Sequence, residues 1–337
     1  MRINKRIIFA IIVIGTVILG AVVLLSLRAP QSYTGKMESI AIGTPFNESS
    51  TLIYIAENQH FFAANGLNVI LRDYDFGALA LNSMLRGEVD IALATEFPLV
   101  RKALEKEKVR TIGSIGKFEF VYLVGRKDRG IEKVSDLKGK RIATALKTIA
   151  EFHLGRYLNL HGMSLKEITL IDLQKSTQLI DAVVNGDTDA IVTQHPYVAV
   201  AEERLGANGV VWPVQSGQAM FSPLICRDEW ITNHPELVIR LLKSLTQAEA
   251  YAVNHPVEAE AILQKRLNFK SSYVKTVWLR NQFSLSLDQS LIAAMEDEAR
   301  WMIKNNLTRE KTVPDFINYI YTNGLKAVKP EAVKIIR

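Results

Sequence analysis

The chain has 337 residues, 48% of them hydrophobic and 23% charged, which is enough for one large domain or two lobes. Its formal charge of +6 sits largely at one end: Arg2, Lys5, Arg6 and Arg28 are the only charged residues among the first thirty, and the remaining 37 bases face 35 acids. A concentrated basic face for nucleic acid is therefore not expected. The single cysteine, Cys226, excludes an internal disulfide and a cysteine-cluster metal site, and it reads as a small buried apolar residue.

Residues 7–27, "IIFAIIVIGTVILGAVVLLSL", form an uncharged run of 21 residues behind the basic start. A bilayer-spanning helix needs roughly 20 apolar residues, whereas the core of a cleaved signal has only ~7–15. No Ala-x-Ala site ends the run, so its length favours an uncleaved single-pass anchor over a cleaved signal. The basic flank then places the N-terminus in the cytoplasm and everything after Arg28 outside the cell membrane. Residues 31–38 read as a polar tether.

Strands and helices then alternate. Strands are expected at 39–44, 67–74, 89–95, 109–116 and 120–126, with helices at 50–66, 77–88 and 98–107. The pattern restarts with strands at 139–144, 168–173, 189–194 and 209–215. The helices between them fall at 148–162, 176–187 and 196–206, the last with Pro196 in its first turn. Residues 235–337 read almost wholly as helices, at 235–254, 256–267, 271–282, 287–306 and 313–325. Such alternation predicts an α/β architecture of βαβ units with parallel sheets. Its two successive blocks predict two lobes with a cleft between them.

Ligands of open parallel sheets bind beyond the carboxyl ends of the strands, which directs attention to five loops. The first carries Thr44, Asn47 and Ser49, followed by Ser50 and Thr51; such residues cap helix starts and also offer hydroxyls. The second has Gly77 at a helix start, where backbone N–H groups favour anions. The third holds Thr95 and Glu96. The fourth joins Lys147 to Thr148, a good N-cap beside the positive end of its helix. The fifth holds Gln194 and His195, and His195 suits a hydrogen bond to an oxyanion better than catalysis, since no partner accompanies it. Glu151, His153 and His161 have the composition of metal ligands but not the spacing. The chain contains no H-E-x-x-H, G-x-S-x-G or G-x-x-x-x-G-K-[ST] sequence. No catalytic residue, metal or cofactor is therefore predicted, and binding is favoured over chemistry.

Four segments, "LIYIAENQHFFAANGLNVIL" (52–71), "MLRGEVDIALATEFP" (84–98), "SDLKGKRIATALKTIAEFHLGRYLNLHGM" (135–163) and "LIDAVVNGDTDAIVTQHPYV" (179–198), resemble the solute-binding proteins of ABC importers of the nitrate, sulfonate and taurine type. "LDQSLIAAMEDEARWMIKNN" (287–306) is similar to that group's C-terminal region. The resemblance spans about 39–337. It implies the two-lobed type II periplasmic-binding-protein fold, with residues 39–121 and 220–337 in lobe one and 122–219 in lobe two. It also implies a small anionic or polar solute such as a sulfonate, taurine or nitrate, and ABC permease and ATPase subunits as partners. A sensory role for the same lobes is the alternative. A third reading is an enzyme on this fold, related to thiamine-pyrimidine synthesis, but that activity uses a cysteine-rich motif and this chain has only Cys226. Many relatives carry a lipid-bearing cysteine after the signal; here the expected membrane span takes its place.

Overall fold

The structure, a computed structural model, describes residues 33–336. The expected anchor at 7–27 lies outside the described residues. Among the described residues no helix is long and apolar enough to cross a membrane.

The chain opens with β1 (Glu38–Pro45), α1 (Thr51–Asn58), the short α2 (Phe61–Ala64), β2 (Leu67–Tyr74), α3 (Gly77–Leu85), β3 (Ile91–Leu93), α4 (Glu96–Leu104) and β4 (Val109–Phe118). It crosses to β5 (Val121–Arg126), β6 (Arg141–Thr144), α5 (Ile149–Leu160), β7 (Thr169–Asp172), α6 (Ser176–Asn185), β8 (Ala190–Gln194), α7 (Tyr197–Leu205) and β9 (Gly209–Pro213). It then returns as β10 (Met220–Arg227), followed by α8 (Asp228–Asn233), α9 (Pro235–Asn254), α10 (Pro256–Leu267), α11 (Ser271–Arg280), β11 (Leu287–Asp288), α12 (Gln289–Lys304), α13 (Asn323–Val328) and β12 (Val333–Lys334). Two five-stranded sheets result, in the orders β2-β1-β3-β10-β4 and β7-β6-β8-β5-β9.

The sheets are mixed rather than parallel. β1 pairs in parallel with β2 and β3, and β6 with β7 and β8. β10 runs antiparallel to both β3 and β4, and β5 antiparallel to both β8 and β9. The cause is the pair of crossings: a strand that re-enters a sheet from the other half of the molecule arrives from the opposite end. Ile42, Ile91, Leu93, Ile112, Leu224 and Ile225 are buried between flanking helices, as strands covered on both faces require.

Gln215 ties the two crossings together. Its Oε1 accepts from the Phe120 and Val121 amides at 2.6 and 2.9 Å, and its Nε2 donates to the Phe118 and Gln218 carbonyls at 3.0 Å each. One buried side chain thus satisfies four backbone groups that neither sheet supplies.

Two expected helices change on folding. The helix at 50–66 is broken at His60, whose φ of 58° is left-handed. Past the break, the Asn65 side chain donates to Phe61 O, Ser244 Oγ and Gln247 Oε1, pinning the turn against α9. The helix at 313–325 gives way to a 3-10 turn, Phe316–Tyr319, and α13. Between them the chain extends along the free edge of β4, where the Tyr321 amide donates to Thr111 O at 2.8 Å. Bridges at Thr111–Ile320, Ser114–Ser286 and Lys117–Gln282 cover the same edge, which would otherwise present unpaired backbone groups.

Candidate functional site

A cavity of about 30 Å³ lies where loops from both sheets meet, enough for only a few water molecules. From the first sheet it takes Pro45, Asn47, Ser49, Phe76, Gly77, Ala78, Thr95 and Pro98. From the second and the crossing it takes Phe120, Val121, Thr144, Ala145, Thr148, Ile149, Ala150, Val192, Thr193 and Gln194. Gln194 Nε2 donates to Asp75 O at 3.4 Å, linking the two halves beside the cavity.

Helix starts dominate the wall. The first amides of an α-helix have no partner within it, and the helix dipole makes that end positive. α3 begins at Gly77 and α5 just after Thr148, so two such ends approach from opposite sides. At α5, Thr148 Oγ1 accepts from the Ala150 amide at 3.3 Å and donates to Ala145 O at 2.7 Å. The expected N-cap is present and also lines the cavity. Gly77 is glycine for a packing reason: a Cβ there would lie 2.6 Å from Ala94 Cα. Only without it does α3 start close against the end of β3. Asn47 Oδ1 accepts from the Ser49 amide at 2.9 Å and from Ser49 Oγ at 2.6 Å, which leaves its amide donors for other use.

Six of the ten predicted site residues line this cavity: Asn47, Ser49, Gly77, Thr95, Thr148 and Gln194. The other four are placed elsewhere. Thr44 Oγ1 donates to Asp73 Oδ1 at 3.3 Å, joining β1 to β2. Glu96 turns back into the protein, where its Oε2 accepts from the Phe221 amide at 2.9 Å. Lys147 has a left-handed φ of 65° and faces a separate cavity of about 140 Å³ with Phe97, Arg101 and Glu151. The His195 ring lies 4.0 Å from that of Tyr273 and 5.2 Å from that of Tyr122. Burial, with Arg280 nearby, lowers its pKa to about 4.

Sequence reasoning missed Phe76, Phe120 and Thr193. The two phenylalanines sit beside a helix start and a crossing, where a hydrophobic residue carries no functional signature. Thr193 lies one residue before a predicted position; it is 2% exposed, and its hydroxyl has no partner among the described residues.

Behind the wall, the two halves meet along α4, α5 and α12. The Trp301 ring lies 5.4 Å from Phe152 and 6.1 Å from Phe97. A Cβ on Gly155 would lie 2.5 Å from Trp301 Cζ2, so this mid-helix glycine admits the indole. Three residues before Trp301, the Glu298 carboxyl is fully buried and faces the Glu96 carboxyl. Burial and the neighbouring Glu96 hold its pKa well above the usual carboxyl range, and burial likewise raises that of Glu96. His153 is buried with both ring nitrogens unpartnered, and burial lowers its pKa to about 3. Cys226 is buried and free, its thiol pKa pushed up by burial.

Two sheets joined by two crossings, with a small cavity between them, define the two-lobed fold of the periplasmic-binding type. Residues 47–259 match the family described as NMT1/THI5 like, and the chain belongs to that family. It is 23% identical over 287 residues to a putative aliphatic sulfonates-binding protein of Bacillus subtilis, covering 82% of this chain and 84% of that one. It is 23% identical over 282 residues to the taurine-binding periplasmic protein of Escherichia coli, covering 80% and 78%. The fold is shared with the alkanesulfonate-binding protein of Xanthomonas axonopodis pv. citri, solved bound to MOPS, at a TM-score of 0.74 and 17% identity over 86% of this chain and all of that one. It is shared too with the desulfurization enzyme DSZB, at a TM-score of 0.64 and 16% identity over 87% and 99%.

Proposed function

We propose that this chain is the extracytoplasmic solute-binding protein of an ABC importer and holds a small anionic solute of the sulfonate type between its sheets, where the cavity of about 30 Å³ widens to admit it. The observation that carries this reading is the convergence of two helix N-termini, from opposite halves, on one small cavity lined by neutral residues. Amides aimed from both sides bind an anion best when the halves are closed, and that difference in affinity is what shifts an open–closed equilibrium. Asn47, Ser49, Gly77, Thr95, Thr148 and Gln194 contact the solute. Residues 39–121 with 220–337 move as one lobe and 122–219 as the other, supported by the membership of the two sheets. Residues 7–27 hold the protein to the membrane, supported by their uncharged length. The lining set contains no Cys, His, Lys, Asp or Glu, which favours retention of the ligand over turnover, although one fold relative is an enzyme.

The test is thermal unfolding of the full chain in detergent with a panel of short sulfonates and nitrate. A ligand at 100 times its dissociation constant stabilises by about 2.7 kcal/mol. Stabilisation by no member of the panel, or conversion of the ligand on prolonged incubation, overturns the reading. Thr148→Ala is expected to lose about 1 kcal/mol of stability with the cap, and to weaken binding beyond that.

Gly155→Ala separates closure from folding. Alanine favours a helix interior by about 1 kcal/mol over glycine, so the melting temperature of the free protein should hold or rise. Displacing Trp301 from the seam costs about 1–3 kcal/mol, so the dissociation constant should rise roughly tenfold. Calorimetric titration of wild type and variant with the same sulfonate checks this; equal affinities would show that the seam is indifferent to ligand.

A further inference from the structure

We propose that the cavity selects a compact monoanion whose far end is uncharged and apolar, and that it rejects the same anion when that end carries an ammonium group. This rests on the anion-binding reading above and narrows it.

Every lining residue is neutral. The positive potential comes from the starts of α3 and α5, and a donor stands ready in Thr193, whose buried hydroxyl has no partner among the described residues. These groups serve a negative head. The rest of the wall carries the neutral side chains of Asn47, Ser49, Thr95, Thr144 and Gln194 and no ionised group, and is otherwise hydrocarbon, including Phe76, Phe120, Val121, Ile149 and Val192. An ammonium there would be stripped of water with no anion to meet it, which is strongly unfavourable.

Carboxylates are close in sequence, yet each is committed elsewhere. Glu96 Oε2 accepts from the Phe221 amide, and Glu151 Oε2 from the Lys147 amide at 2.6 Å. Asp172 Oδ1 accepts from the Leu146 amide at 3.0 Å. Glu48 lies between Asn47 and Ser49 but is absent from the wall; its Oε1 accepts from the Tyr273 hydroxyl at 2.5 Å. Its second oxygen is buried without a partner among the described residues, which makes it, with Asp75 beside Phe76, a carboxylate able to contradict the proposal.

Propane-1-sulfonate and taurine have the same chain length and the same head, and differ in a methyl against an ammonium. Titration calorimetry of the full chain at pH 7 should show propane-1-sulfonate binding at least 100-fold more tightly than taurine. Thr193→Val should weaken propane-1-sulfonate about tenfold without lowering the melting temperature. Taurine binding as tightly as propane-1-sulfonate overturns the inference while leaving the anion-binding reading intact. Its loss in Glu48→Gln would then identify the carboxylate responsible. Binding of neither sulfonate overturns this inference, and binding of neither sulfonate nor nitrate overturns both.

Discussion

Gln215→Leu is expected to destabilise the folded chain by about 3 kcal/mol or more. The side chain is nearly the same size, so the loss is one of hydrogen bonds. The Phe120 and Val121 amides lose their shared acceptor, and the Phe118 and Gln218 carbonyls lose a donor. A buried polar group left unpaired costs about 1–3 kcal/mol, and water reaches this site poorly because Gln215 is buried. Gln215→Glu keeps an acceptor for both amides but sets a buried carboxyl against the Phe118 and Gln218 carbonyls, so its loss should be at least as large at pH 7 and should ease as the pH falls. Urea unfolding measures both as a fall in the midpoint at constant slope. An unchanged midpoint for the leucine variant would mean that the crossings are held by their strands alone. The Arg156 guanidinium donates to Gln215 O at 3.0 Å, so the same residue also links the crossing to α5, the helix whose start lines the cavity.

Stability should fall as the pH rises above about 4.5, the ordinary carboxyl value. Glu96, Glu298 and Glu48 are all raised above that value by burial, Glu48 to about 7. Two adjacent buried carboxyls without a cation cannot both ionise, so the Glu96–Glu298 pair retains a proton in the folded state. The unfolded chain releases these protons near pH 4.5, and the folded chain holds them until its own higher values. Folding therefore takes up protons in that window, and stability drops by about 1.4 kcal/mol per pH unit for each one. The share owed to Glu48 is lost by about pH 7, and that of the pair continues to higher pH. The histidines act on the other side. His153 and His195 are lowered from 6.5 to about 3 and about 4, so their contribution is present above 6.5 and is lost as the pH falls toward those values. Glu298→Gln should flatten the alkaline limb, because an amide at 298 donates to Glu96 and lets it ionise. Urea midpoints at several pH values from 5 to 9 make the comparison; parallel alkaline limbs in wild type and variant would remove the pair as the source.

Much of the architecture was legible because its signals are local. The strand at 67–74 and the helices at 235–254 and 256–267 fall where periodicity, Gly66 and the two prolines place them. The loops worth inspecting followed from the rule that ligands sit beyond strand ends, and six candidates, at least one from each of the five, line one cavity. Strand direction was not legible. β10 looks like any apolar strand in sequence, and only its return from the other half makes it antiparallel.

The chain by itself determined the alternation of elements, the absence of a cysteine framework, and the helix starts whose capping residues also offer hydroxyls. Tertiary structure decided which way each side chain faces. Glu96 and Thr95 are neighbours in sequence, yet one meets Glu298 in the core and the other meets the cavity. Gly77 owes its identity to Ala94, Gly155 to Trp301, and Gln215 serves backbone on both sides of a crossing. Periodicity and capping operate over a few residues and are written in the order of the chain. Burial, pairing of carboxyls and close approach depend on residues scores of positions apart, and only the packed fold brings those together.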